Sequence, residues 1–123
     1  MREIEDSAPG AGLAPGLEAR FGRKPLGAEA SGLTYFRLAP AHRIPLGHRH
    51  AEQEETYVVL SGLVRVALDD EVRELGPWDA VRIAPATMRG LEAGPEGAEV
   101  LAFGAGPAGD GDTRPGWWPS GGS

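Results

Sequence analysis

Residues able to share one metal ion stand close together in GHRHAEQEETYVVLSG, Gly47 to Gly62. His48 and His50 are separated by one residue, and Glu54 and Glu55 follow shortly after. On an extended strand alternate side chains share a face, so both imidazoles project from one side, roughly 6.5–7 Å apart along the strand. Arg49 points to the other side. At that spacing both rings can lean onto one ion at about 2.0–2.2 Å. The AEQE turn then returns the chain and brings a glutamate beside them. Glu55 shares a face with Tyr57 and Val59, and Glu54 with Thr56 and Val58. Both faces are apolar, so alternation alone leaves the choice of glutamate open. Two imidazoles and one carboxylate form a facial set with positions free for water or substrate, as hydrolytic and redox metals require. The same pattern is also compatible with an exposed His pair on an edge strand.

Strands must position these groups. Short apolar runs rich in β-formers recur at residues 32–39, 55–61, 63–69, 71–75, 79–84 and 98–103, with Ser61-Gly62 and Asp69-Asp70 read as hairpin-type breaks between them. No window shows a sustained helical period. Strands spaced near ten residues apart imply an antiparallel sandwich or barrel. The chain has 123 residues, 41% hydrophobic, with 19 Gly and 11 Pro. That is enough apolar surface for one domain and too many breakers for a helical bundle.

The same composition excludes several functions. The net charge of −6 leaves no basic stripe for phosphates, so no nucleic-acid partner is expected. With no cysteine there is no disulfide, thiolate chemistry or cysteine zinc site. No apolar run is long enough to cross a membrane, and the N-terminal residues lack the pattern of a secretory signal, so the expected location is cytoplasmic. Residues 1–16 read as a flexible N-terminal arm, 17–106 as the barrel, and 107–123 as a Gly/Pro-rich tail whose Trp117 and Trp118 dock on the barrel or on a second subunit.

The segment from about Gly32 to Phe103 resembles the cupin superfamily, and its small single-domain, cupin 2-like members in particular. The first motif of that family, His-x-His, a short spacer, Glu, six residues and Gly, matches His48, His50, Glu55 and Gly62. LGPWDAVRIAPATMRGLEAG is similar to the second. The resemblance implies an all-β, single antiparallel jelly-roll barrel with its site in the mouth, often as a homodimer. It selects Glu55 over Glu54 as the third ligand beside His48 and His50. It also implies a divalent metal (Zn, Fe, Mn or Ni) and a small polar or anionic ligand. An enzyme of this kind would be a metal-dependent oxygenase, isomerase or related catalyst.

One departure from the family pattern matters. The second motif usually supplies another histidine, and Arg89 stands at that place. A guanidinium cannot ligate a metal. Within about 4–6 Å of a dication it would repel it by several kcal/mol at an effective dielectric near 20. It would also pair well with Glu55. Two arrangements therefore compete. In one, His48, His50 and Glu55 hold a metal and Arg89 turns away or orients an anionic ligand. In the other, Arg89 pairs with Glu55 in a metal-free, non-catalytic barrel that binds a small ligand. Tyr57 and Glu54 complete the candidate ligand-binding or supporting groups. His42 is read as a loop residue at the surface, Gln53 as solvated, and Trp78 as a subunit contact or packed cap.

Overall fold

A computed structural model describes residues 1–119. Eight strands and one helical turn follow in chain order: β1 Leu17–Phe21, α1 Arg23–Leu26, β2 Ser31–Leu38, β3 Leu46–His50, β4 Glu54–Leu68, β5 Glu71–Leu75, β6 Ala80–Ile83, β7 Arg89–Ala105 and β8 Gly111–Pro115. All pairings are antiparallel. The order β1-β2-β7-β4-β6 makes one layer and β8-β3-β7-β4-β5 the other. The long strands β4 and β7 pass from one layer to the other, and the whole is an antiparallel jelly-roll barrel.

The crossing explains a difference from the sequence reading. Ser61-Gly62 does not end a strand. It is an irregularity inside β4, opposite a second one in β7. Gly62 and Gly97 both have positive φ, 74° and 80°, and a Cβ on Gly62 would lie 2.0 Å from the Gly97 carbonyl oxygen. Two strands that bend at the same place need backbones this close, so both positions require glycine. The Asp69-Asp70 turn is a true hairpin, with Leu68 opposite Glu71 and Asp69 at φ 53°. The first half of β7, RGLEAGPEG, was not read as a strand, because its glycines and proline mask the alternation.

The core lies between the two layers. Val59, Val64, Val66 and Val100 are fully buried there, with Leu38, Ile83 and Leu91 beside them. Outward positions carry ion pairs, including Arg65–Glu92, Arg73–Glu71 and Arg82–Glu54, as alternation predicts for a half-solvated sheet. Residues 1–16 are mostly exposed but touch the barrel through Asp6 and Ala8. Ala8 is buried in the core cluster, and the Asp6 carboxylate accepts from the N–H groups of Ala8 (3.0 Å) and Ala19 (2.9 Å). Residues 107–119 contribute β8, which pairs along the whole of β3. Trp117 lies against Gly47 and Trp118 against Gly90, with the Arg43 guanidinium 4.0 Å from the Trp118 ring. The Trp117 and Trp118 placements of the sequence reading thus fall on this outer face, away from the barrel mouth. Residues 120–123 lie outside the described residues. No helix among the described residues is long and apolar enough to cross a membrane.

Candidate metal centre

His48 and His50 project into the barrel from β3, as strand alternation requires, while Arg49 faces outward onto Asp112 at 3.0 Å. A short turn connects β3 to β4 and brings Glu55 back beside them. His48 Nε2 lies 3.0 Å from Glu55 Oε1, and His50 Nε2 lies 3.4 Å from the same oxygen. One ligand atom from each of the three residues falls within 4.8 Å of the others. The two imidazoles meet edge to face, with ring centroids 5.1 Å apart. This donor set can hold a metal ion.

Glu54 is placed elsewhere. It points to the outer face and pairs with Arg82 at 2.6 Å, both side chains well exposed, so it does not support the site. Alternation settles this once Glu55 is known to face inward. Tyr57 lies on the Glu55 face, two residues on, fully buried and lining the cavity. Burial, then the nearby Glu55 charge, pushes its hydroxyl well above the usual tyrosine range, so it remains a neutral phenol.

Arg89 opens β7 opposite His48, and its side chain is completely buried. Nη1 donates to Glu55 Oε1 at 2.5 Å. Nη2 donates to the carbonyls of Ala84, Pro85 and Thr87 at 2.8–3.1 Å, and Nε donates to Thr87. The guanidinium is thus engaged on both sides. In this arrangement it faces Glu55 and does not turn away from the centre. Burial works to raise the Glu55 pKa, but His48 and Arg89 outweigh it and bring the carboxyl down to about 2.

One contributor was missed in the sequence. Asp110, just before β8, accepts from His50 Nδ1 at 2.8 Å and from the backbone N–H groups of Glu52 and Gln53 at 2.9 Å each. Burial opposes its ionisation, but the two backbone donors and His50 hold it well below the usual aspartate range. The ionised carboxylate fixes the proton of His50 on Nδ1 and leaves the Nε2 lone pair pointing toward Glu55. That Nε2 is buried and has no hydrogen-bond partner. An acidic residue in a glycine-rich tail, with Asp112 two positions on, gives no sequence signal for this role. Gln53 is also buried rather than solvated, and donates to the Pro107 carbonyl at 3.1 Å. His42 packs against Gly16, where a Cβ would sit 2.3 Å from its ring, and so is not a free surface group. Trp78 is 77% exposed on its turn rather than a packed cap.

The centre opens on a cavity of about 520 Å³. His48, His50, Glu55 and Arg89 line it together, and Ser7, Arg23, Thr34, Gln53 and Thr113 add further polar groups. The remaining walls are mostly apolar, among them Leu17, Ala19 and Phe36 from one layer and Ile44, Leu46 and Leu91 from the other.

No protein-family profile matches the sequence, and no curated protein matches it. Solved structures do. A cupin 2 domain-containing protein from Halorhodospira halophila is 30% identical, over 92% of this chain and 72% of its own, with a TM-score of 0.65. A cupin protein from Bacteroides fragilis is 25% identical over 74% of this chain and 78% of its own, with a TM-score of 0.69. Oxalate decarboxylase from Bacillus subtilis is 21% identical, with a TM-score of 0.74, over 90% of this chain but only 30% of its own, and so shares the fold alone.

Proposed function

The chain belongs to the cupin superfamily, and from that premise we propose that it holds one divalent metal ion through His48, His50 and Glu55 and takes a small ligand in the barrel mouth. The observation that carries this reading is the buried, unpartnered Nε2 of His50, with the opposite ring nitrogen fastened to Asp110. A polar atom left in this state costs about 1–3 kcal/mol unless something accepts its lone pair. A cation meets that need, and the carboxylate–histidine arrangement behind it is the usual support of a metal-ligating imidazole.

A bound divalent ion would supply Lewis-acid polarisation of a ligand oxygen or, for a redox-active metal, electron transfer. The chain's own residues would do the rest. Asp110 holds His50 in one tautomer. Arg89 holds Glu55 in place and offsets its charge. Tyr57 lends a neutral hydroxyl to the cavity wall. Structural neighbours include an oxalate decarboxylase and a sugar phosphate isomerase, both under 25% identical. Shared fold does not select either reaction for this chain. We also propose that the chain pairs as a homodimer, since Phe103 is 47% and Trp78 77% exposed on the outer surface.

A second reading is favoured by the 2.5 Å contact between Arg89 and Glu55. Here the ion pair itself satisfies the carboxylate, and the barrel binds its ligand without a metal. Elemental analysis separates the two. Protein made without a histidine tag is incubated separately with iron, manganese, nickel and zinc, then desalted. One ion per chain is expected with at least one of them, and Asp110→Asn should weaken its binding by about 10–100-fold. No retained ion in any of the four samples would establish the metal-free reading.

A further inference from the structure

The cavity contains one cation that the centre does not use. Arg23, from α1, lines the mouth. Its Nη2 donates to the Gly106 carbonyl at 2.9 Å and its Nη1 to the Glu29 carbonyl at 3.3 Å. Among the described residues it has no carboxylate partner, whereas the other cavity-lining guanidinium, Arg89, is saturated by Glu55 and three carbonyls.

Its position relative to the centre follows from the strand register. Gly32 of β2 lies opposite Gly104 of β7, which lies opposite Glu55 of β4. Arg23 rests on the first of these, with its Nε 3.3 Å from where a Gly32 Cβ would be. Two strand spacings of about 4.8 Å separate Gly32 from Glu55, so Arg23 and the centre share one end of the cavity, about 10 Å apart in backbone terms. Between them the inward face of Gly104 is covered by Gln53, whose Oε1 lies 1.7 Å from where a Gly104 Cβ would be, so Arg23 and the centre are separate polar points on the cavity wall.

Away from this end the walls are mostly apolar, with Ser7 and Thr34 as the polar residues among them. Phe21 forms an exposed lip and meets Phe36 edge to face at 6.2 Å, and Leu17 and Ala19 face Ile44 and Leu91 behind them. A cavity of about 520 Å³ is large enough for a small organic molecule. A sugar or other polyhydroxylated ligand would leave most of its hydroxyls against hydrocarbon without partners, which is unfavourable.

We propose that the barrel mouth accepts an amphipathic carboxylic acid, its carboxylate on Arg23 and its apolar body against Leu17, Ala19, Phe36 and Leu91. This rests on the mouth being a ligand site, and it narrows that site's ligand class. It does not depend on which metal is bound.

The test is calorimetric titration of the full chain with octanoate, its neutral counterpart octanamide, and acetate, with metal content measured on the same sample. Octanoate is expected to bind, octanamide about tenfold or more weaker, as loss of a charge-assisted contact predicts, and acetate far more weakly than either. Arg23→Gln should bring octanoate down to the octanamide level without changing octanamide binding or metal content. Arg23→Lys should restore the preference for the acid. The proposal is overturned if octanoate does not bind the wild type, if it binds no better than octanamide, if acetate matches it, or if Arg23→Gln keeps the preference. Metal content fails separately: a protein that retains no ion after incubation with iron, manganese, nickel or zinc and still prefers octanoate sinks the metal reading and leaves this one standing.

Discussion

Glu54 and Glu55 follow one another on β4, and each ends on an arginine nitrogen, at 2.6 Å for Arg82 and 2.5 Å for Arg89. The contacts are alike and the surroundings are opposite. In the outer pair the arginine side chain is 63% exposed and the glutamate 45%; in the inner pair the values are 0% and 12%. Water screens the outer charges and competes for their hydrogen bonds, so that pair contributes little. The inner pair is enclosed, and the Arg89 cation has carbonyl oxygens on its far side. There the charges depend on one another, because an unpartnered ion in the barrel would be far more costly than the pair. A single step along a strand thus separates a surface contact from a contact that defines the site.

Three measurements can break or sharpen this contrast. The largest effect is expected from Arg89→Met, which leaves Glu55 unpaired and three carbonyls short of a donor. The metal-free protein should lose about 3–5 kcal/mol in urea unfolding. Its affinity for a divalent ion should rise, because a nearby positive charge is gone. A small loss of stability with unchanged metal affinity would mean that Arg89 does not govern the centre.

The intermediate effect is in acid. Folding lowers the Glu55 pKa from 4.5 to about 2, so the unfolded chain takes up the proton first as the pH falls. The contribution of the pair is therefore complete above pH 4.5 and fades as the pH drops through that window toward 2. Thermal unfolding of the metal-free protein followed from neutral pH downward should show this decline, and it should be shallower in Arg89→Met. Equal slopes in the two proteins would place the acid sensitivity elsewhere. The smallest effect belongs to Arg82→Ala, expected to change stability by less than about 1 kcal/mol and to leave metal content as in the wild type. A larger loss would show that the outer pair is not simply solvated.

The same contrast shows what could be read from the chain. Spacing alone aligned His48 with His50, because strand alternation is a local property. It left Glu54 and Glu55 equivalent, since apolar residues flank both. The motif resemblance separated them, and Glu55 is the one that meets the histidines. Arg89 could be placed near the site, but its engagement with the carbonyls of Ala84, Pro85 and Thr87 depends on how a loop closes, which no residue pattern reports. The sequence signals β2, β4, β5, β6 and the second half of β7 as strands, whereas β1, β8 and the first half of β7 carry too little alternation to be recognised. Asp110 carries no signal and Gln53 reads as solvated, because their roles are set by pairing between distant segments. The apolar character of the cavity was likewise hidden, since it is shared among residues from Ala8 to Gly111.

Asp110 also orders events in time. It stands sixty positions beyond His50, in the segment that supplies the last strand of the barrel. During synthesis the histidine pair and Glu55 emerge together, but the group that selects the His50 tautomer arrives only after nearly all the other strands exist. A nascent barrel therefore carries an incompletely set imidazole until that late segment docks, and full competence of the centre becomes a signal that the sheet has closed.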